Sequence, residues 1–279
     1  MTIITLPDAL KLNSSHAIEI YDYVNTQEIS KQQIVLSKNT FSFLQNGTKE
    51  VFFDNSSRLI TNSQFLLMKA GNSLMTEKFY SDETKYRSIL FFFSNEAVFN
   101  FIRKFKLSPQ ENCTYASMYS FEYDTFVKGF TKSILDISKL SDSIQKNILE
   151  AKFDEIMLYL VEVKGVDFLY SLVSDRDNSA RKFMQTVENN TLNKLSIDEL
   201  SFLANMSASS FKRAFKKHFQ SSPSKWFQEK RLEHAAFLLR NKSKRPSDIY
   251  QEIGYENLSN FIQAFKIKYG VTPKKYQVN

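Results

Sequence analysis

The sequence predicts an α+β protein in two parts. A β-rich N-terminal half carries packed helices, and an all-α C-terminal domain contains two similar helical units. Three observations predict it. Short apolar or aromatic runs recur roughly every ten residues between positions 15 and 95, the spacing of a small barrel or sandwich. The apolar period then changes from strand-like to helical near residue 95. The last third of the chain contains a degenerate internal repeat.

The strand-like runs come first. They are Ala17–Tyr21, Gln33–Leu36, Thr40–Leu44, Glu50–Phe53, Gln64–Met68 and Ser88–Phe93. Gln45-Asn46-Gly47, Asp54–Ser57 and Lys69–Asn72 separate them with turn-forming residues. From Asn95 the pattern is helical. Val98, Phe99, Ile102 and Phe105 share one stripe, and Phe126, Phe130, Ile134 and Ile137 share another within 122–140. A long helix over 143–172 follows, with Ile148, Ile156, Leu160 and Val163 among its apolar positions. Surplus apolar surface on these helices is either a dimer seam or is buried within one subunit. Ser174-Asp175-Arg176-Asp177-Asn178 is the candidate linker, which divides the chain into domains 1–174 and 175–279.

Composition bounds the function classes. A length of 279 residues suggests two ordinary domains. The single Cys113 excludes an intramolecular disulfide framework and fits a reducing compartment. Met1–Leu12 contains Pro7 and Asp8 and has no signal-peptide pattern. Ile89–Phe93 is too short to span a bilayer. A cytoplasmic protein with no membrane partner is expected. The net charge is +7, but residues 181–279 hold 18 Lys and Arg against 8 Asp and Glu, which is +10. Residues 1–180 hold the other 19 basic and 22 acidic residues, which is −3. Such asymmetry suggests a polyanion-binding domain on a near-neutral one; a solvated basic surface is the alternative.

The repeat carries more information than the charge. Phe211-Lys212-Arg213-Ala214-Phe215-Lys216-Lys217-His218-Phe219 matches Phe261-Ile262-Gln263-Ala264-Phe265-Lys266-Ile267-Lys268-Tyr269 at an offset of 50. Each copy is followed by Ser/Thr-Pro, at Ser222-Pro223 and Thr272-Pro273, and preceded by a short helix, Ser196–Ala204 or Pro246–Ile253. Ser196 with Glu199 forms a capping box. Pro246 suits a first helical position, and Gly254 suits a turn with positive φ. Burying Phe211, Ala214, Phe215 and Phe219 leaves Ser209, Lys212, Arg213 and Lys216 on the opposite face. The second copy likewise exposes Ser259, Ile262, Gln263 and Lys266. Between them a helix from Pro223 to about Arg240 is long enough to hold two helix-turn-helix units about one DNA turn apart.

From about Ala180 to Gln277 this series resembles the AraC/XylS family of bacterial transcription activators. The resemblance rests on Arg231-Leu232, Ala235, Leu238-Leu239, Ile249, Gly254-Tyr255, Ser259, Phe261, Ala264-Phe265-Lys266, Gly270-Val271-Thr272-Pro273 and Tyr276. It implies two helix-turn-helix units joined by a linker helix and entering adjacent major grooves of promoter DNA. Ser209, Lys212, Arg213, Ser259, Ile262 and Gln263 would then meet base edges. Arg213 suits guanine and Gln263 suits adenine. Lys216, Lys217, Lys266 and Lys268 would contact phosphates. Ile262, Gln263, Tyr250 and Gln277 depart from the usual residues, which implies weaker reading by the second unit. RNA polymerase is an implied partner.

The N-terminal half resembles the cupin-like sensor barrel common in that family. A catalytic cupin would need clustered metal ligands, yet the half contains only His16. No P-loop or nucleophile elbow occurs either. No catalytic residue, metal or cofactor is therefore expected. A Phe-rich barrel suits a small apolar effector. Lys38 is the candidate partner for an effector carboxylate, with solvation its alternative. A side-chain-filled barrel would instead serve a homodimer or a regulatory protein. The expected function is a sequence-specific transcription activator. A nonspecific architectural DNA-binding protein and a cupin enzyme fused to a DNA-binding domain are the alternatives.

Overall fold

The computed structural model describes residues 2–12, 16–54, 56–79, 84–109, 116–137, 140–174, 179–241 and 244–278. The chain forms two compact units, Met1–Ser179 and Ala180–Asn279. Cys113 and the proposed linker residues 175–178 lie outside the described residues.

The first unit begins with nine strands. They are β1 (Ile4–Leu6), β2 (Ile18–Asn25), β3 (Ile29–Leu36), β4 (Asn39–Asn46), β5 (Thr48–Phe52), β6 (Ser57–Ile60), β7 (Gln64–Met68), β8 (Gly71–Lys78) and β9 (Tyr86–Phe93). Then come α1 (Asn95–Lys104), β10 (Met118–Glu122), α2 (Thr125–Ile137), α3 (Asp142–Lys164) and α4 (Asp167–Val173). The strands form two five-stranded sheets, ordered β1-β3-β8-β5-β6 and β10-β7-β4-β9-β2. Both sheets have free edge strands, so the expected barrel does not close and the description as cupin-like is approximate.

Strand parity explains where the core sits. In β4, Phe41 and Phe43 join a cluster with Val98, Phe101, Phe130, Phe153 and Ile156 from the helices. Their neighbour Leu44 points the other way, into a cluster that also holds Ile34, Val51 and Met75 from the opposite sheet. In β7, Phe65 and Leu67 belong to the first cluster, and Leu66 and Met68 to the second. The second sheet is thus buried on both faces, which is why its strands read as continuous apolar runs rather than alternations.

Four strands lack the signal that the others show. The turn expected at Lys69–Asn72 runs directly into β8, while β1, β6 and β10 are short sheet edges. The expected helix over 143–172 is two helices, because Gly165 takes φ +80° at the end of α3. On α1 the buried aromatic is Phe101, and Phe99 is 50% exposed. Phe126 also leaves the core, stacking on Tyr159 at 4.3 Å between ring centroids.

The second unit comprises α5 (Ser179–Asn189), α6 (Ile197–Leu203), α7 (Ala208–Phe219), α8 (Pro223–Asn241), α9 (Pro246–Ile249), α10 (Leu258–Tyr269) and α11 (Pro273–Val278). Two apolar clusters form, one per repeat. Phe183 and Val187 of α5 complete the first with Leu200, Ala204, Phe211, Phe215 and Phe227. The second gathers Leu232, Ala235, Leu239, Ile249, Ile253, Phe261 and Phe265. The N-terminal part of α8 therefore belongs to one cluster and the remainder to the other.

Candidate nucleic-acid interface

Local chemistry sets each helix end around α7 and α10, the second helix of each repeat. Ser196 Oγ accepts from the Glu199 amide at 3.2 Å, and Glu199 Oε2 accepts from the Ser196 amide at 2.6 Å. This capping box starts α6. Asn205 takes φ +55° in the following turn, and Ser207 caps α7 by accepting from the Ser210 amide at 3.2 Å. In the second unit Pro246 occupies the start of α9. The α-helix stops at Ile249 rather than Ile253, although the Ile253 amide still donates to the Ile249 carbonyl at 3.0 Å. Gly254 takes φ +90°, and an added Cβ would lie 3.5 Å from both Arg231 Cδ and Lys194 Cγ. Asn257 caps α10 through the Asn260 amide at 2.8 Å.

Aromatic packing sets the rotation of both helices. Phe211 and Phe215 are fully buried against Phe183, at centroid distances of 5.2 and 6.2 Å. Turning these rings inward leaves Ser209, Lys212, Arg213, Lys216 and Lys217 exposed. None of the four cations makes an ion pair among the described residues. On α10, Phe261 and Phe265 are buried, and Tyr269 and Tyr276 pack around Phe265. Ser259, Gln263 and Lys266 are exposed, while Ile262 is half-buried.

Lys268 sits elsewhere than the expected phosphate-contact row. Its Nζ donates to the Glu229 carbonyl at 2.8 Å and to Glu233 Oε1 at 3.0 Å, tying α10 to α8. Lys230 donates to the other oxygen of Glu233 at 2.8 Å. Lys230 first, and then Lys268, hold the Glu233 carboxyl below its ordinary value. Sequence reasoning missed this network, although the Lys230–Glu233 spacing of one helical turn was a usable signal. The Lys194 ammonium donates to the Gln251 carbonyl, a tie between the two repeats that left no pattern.

The connecting helix α8 has 19 residues. At 1.5 Å per residue that is about 28 Å, comparable with the ~34 Å between successive major-groove sites on one DNA face. The α7 side carries four free cations and the α10 side carries one, Lys266. Of these two helices, α7 therefore presents the more cationic exposed face.

In the first unit Lys38 is neither solvated nor free for an effector. Its ammonium donates to the His16 carbonyl and to Glu19 Oε2, both at 2.6 Å. A different lysine is buried: Lys49 is 2% exposed, lies 3.4 Å from Glu77 Oε1, and donates to Ser42 Oγ at 3.3 Å. Lys49 shares strand parity with Val51, which already pointed it inward. No group of three or more His, Cys, Asp or Glu side chains among the described residues is arranged to hold a metal. No helix among them is long and apolar enough to cross a membrane.

Two units of this kind, displayed from one shared helix, define a tandem helix-turn-helix protein. In both units the chain is similar to AraC-type transcription regulators. Residues 39–172 match the ExsA N-terminal regulatory domain, and residues 200–279 match a helix-turn-helix domain. The chain is 31% identical over 146 residues to a protein of Photobacterium leiognathi described as probable transcriptional regulator LumQ, covering 52% of this chain and 54% of that one. It is 23% identical over 167 residues to the virulence regulon transcriptional activator VirF of Yersinia enterocolitica, covering 60% and 61%. It is 26% identical over 125 residues to the HTH-type transcriptional regulator ExsA of Pseudomonas aeruginosa, covering 44% and 45%. These matches span between about half and three fifths of the relatives' own lengths. A crystal structure of apo ToxT from Vibrio cholerae is similar over 94% of this chain and 96% of that one, with TM-score 0.44 and 13% identity.

Proposed function

We propose that this chain is a sequence-specific, DNA-binding transcription activator. Residues 175–279 form its DNA-binding domain, and residues 1–174 respond to an effector or partner. The observation that carries this reading is the pair of recognition faces on one connecting helix, with four free cations on α7. Arg213, Lys212 and Ser209 read one half-site; Gln263, Ser259 and Ile262 read the next. Lys216, Lys217 and Lys266 hold phosphates, and Lys268 positions α10 instead. RNA polymerase is the partner on promoter DNA. Exposed Ile144, Leu158 and Val163 on α3 supply apolar surface for a homodimer. A cytoplasmic location fits a protein that works on promoter DNA.

Selection of random duplex DNA by the full chain tests the proposal. An enriched asymmetric motif covering two successive major grooves is the expected result. Salt-sensitive binding without any enriched motif would favour an architectural DNA-binding protein and contradict sequence-specific recognition.

A further inference from the structure

The first unit contains a cavity of about 280 Å³ between its sheets. Its walls are mainly apolar, with Leu6, Ile34, Leu36, Met68 and Met75 among them. That volume is near the lower end of small-molecule sites. Lys49 and Glu77 also line it, and both are almost completely buried. Their charges are opposite, so the pair adds no net charge to the wall. The pair is incompletely satisfied. Glu77 Oε1 faces Lys49, and the Tyr23 hydroxyl interacts with the same carboxylate, but Glu77 Oε2 is buried without a hydrogen bond of normal length. A buried carboxylate oxygen without a donor is costly, and such atoms in native proteins call for an explanation.

The charge balance selects the ligand that answers this orphan. A carboxylate ligand would leave net negative charge beside Glu77 in an apolar wall. An ammonium ligand would satisfy Glu77 but leave net positive charge beside Lys49. Both carry the cost of burying an unpaired ion. A hydroxyl brings a donor for Glu77 without adding charge, and its oxygen can accept from Lys49. Lys38 is already held by Glu19 and offers no alternative anchor.

We propose that this cavity binds a small uncharged molecule with an apolar body and a hydroxyl end that donates to Glu77. The proposal deepens, and rests on, the reading of the first unit as an effector-responsive domain. Its test does not depend on DNA. Thermal unfolding and calorimetric titration of the full chain would compare octanol, octanoate and octylamine, which share one body and differ in the head group. Octanol should raise the melting temperature and bind at least about tenfold more tightly than either charged analogue.

The Leu6→Trp variant, placed in the half-buried wall strand β1, should fold and lose this response. The double variant Lys49→Met with Glu77→Gln keeps the wall neutral and should reduce the preference for octanol over octanoate. Equal or tighter binding of octanoate would overturn the assigned ligand class, as would binding of none of the three. Retained octanol binding in a folded Leu6→Trp protein would overturn the assigned site. If octanol binds as described but the chain selects no DNA motif, the site stands and the transcriptional reading fails.

Discussion

Arg213 and Lys217 are both exposed on α7, yet their chemistry suits them to different tasks. A guanidinium presents a fixed fork that matches one guanine edge, whereas an ammonium meets phosphate as a point charge. Replacing Arg213 by Ala should cost about 1–3 kcal/mol on the selected site and far less on random duplex. Replacing Lys217 by Ala should weaken both duplexes alike and lower the slope of log affinity against log salt by about one. Binding titrations at two salt concentrations check both. Equal losses on both duplexes for Arg213→Ala would remove it from base reading, and an unchanged slope for Lys217→Ala would remove it from the phosphate row. The exposure of these residues was legible because a repeat of Phe positions defines the hidden face, and with it the exposed one. The partner of a long cation was not legible. Lys268 has the same spacing rank as its neighbours, and only the arrival of α8 beside it supplies Glu233.

At the scale of elements, the Lys268–Glu233–Lys230 network fixes how α10 lies on α8. A Glu held below its ordinary value stabilises the fold above the normal glutamate range, and that stabilisation is lost as pH falls through the lower folded-state value. Glu233 is half-exposed, so the contribution is small. Lys268→Gln should cost about 0.5 kcal/mol of stability at neutral pH. That difference from the parent should shrink as the solution is acidified below the glutamate range. A difference constant with pH, measured by denaturant unfolding, would contradict the tether. The helices of this unit were legible because caps, prolines and aromatic spacing all agree. Those of the first unit were less so. Gly165 divides one apparent helix into α3 and α4, and β1, β6, β8 and β10 are missed because an edge strand or one merging with a turn lacks clean alternation.

At the scale of the whole molecule, the division of charge foreshadowed the division into two units, with all the excess positive charge in the last third of the chain. Strand count and sheet closure were not foreshadowed, because closure depends on which strands pair across long separations. The predicted barrel is two open sheets, one of them buried on both faces. The Lys49–Glu77 pair was hidden for a related reason: strand parity turns Lys49 inward, but its partner lies on another strand, β8. The central claim is that both recognition helices engage one face of DNA from a shared connecting helix. Hydroxyl-radical footprinting of the full chain on its selected duplex tests it most directly. Two protected patches on one face, about ten base pairs apart, are expected, the stronger at the half-site read by α7. A single patch, or protection indifferent to sequence, would contradict it.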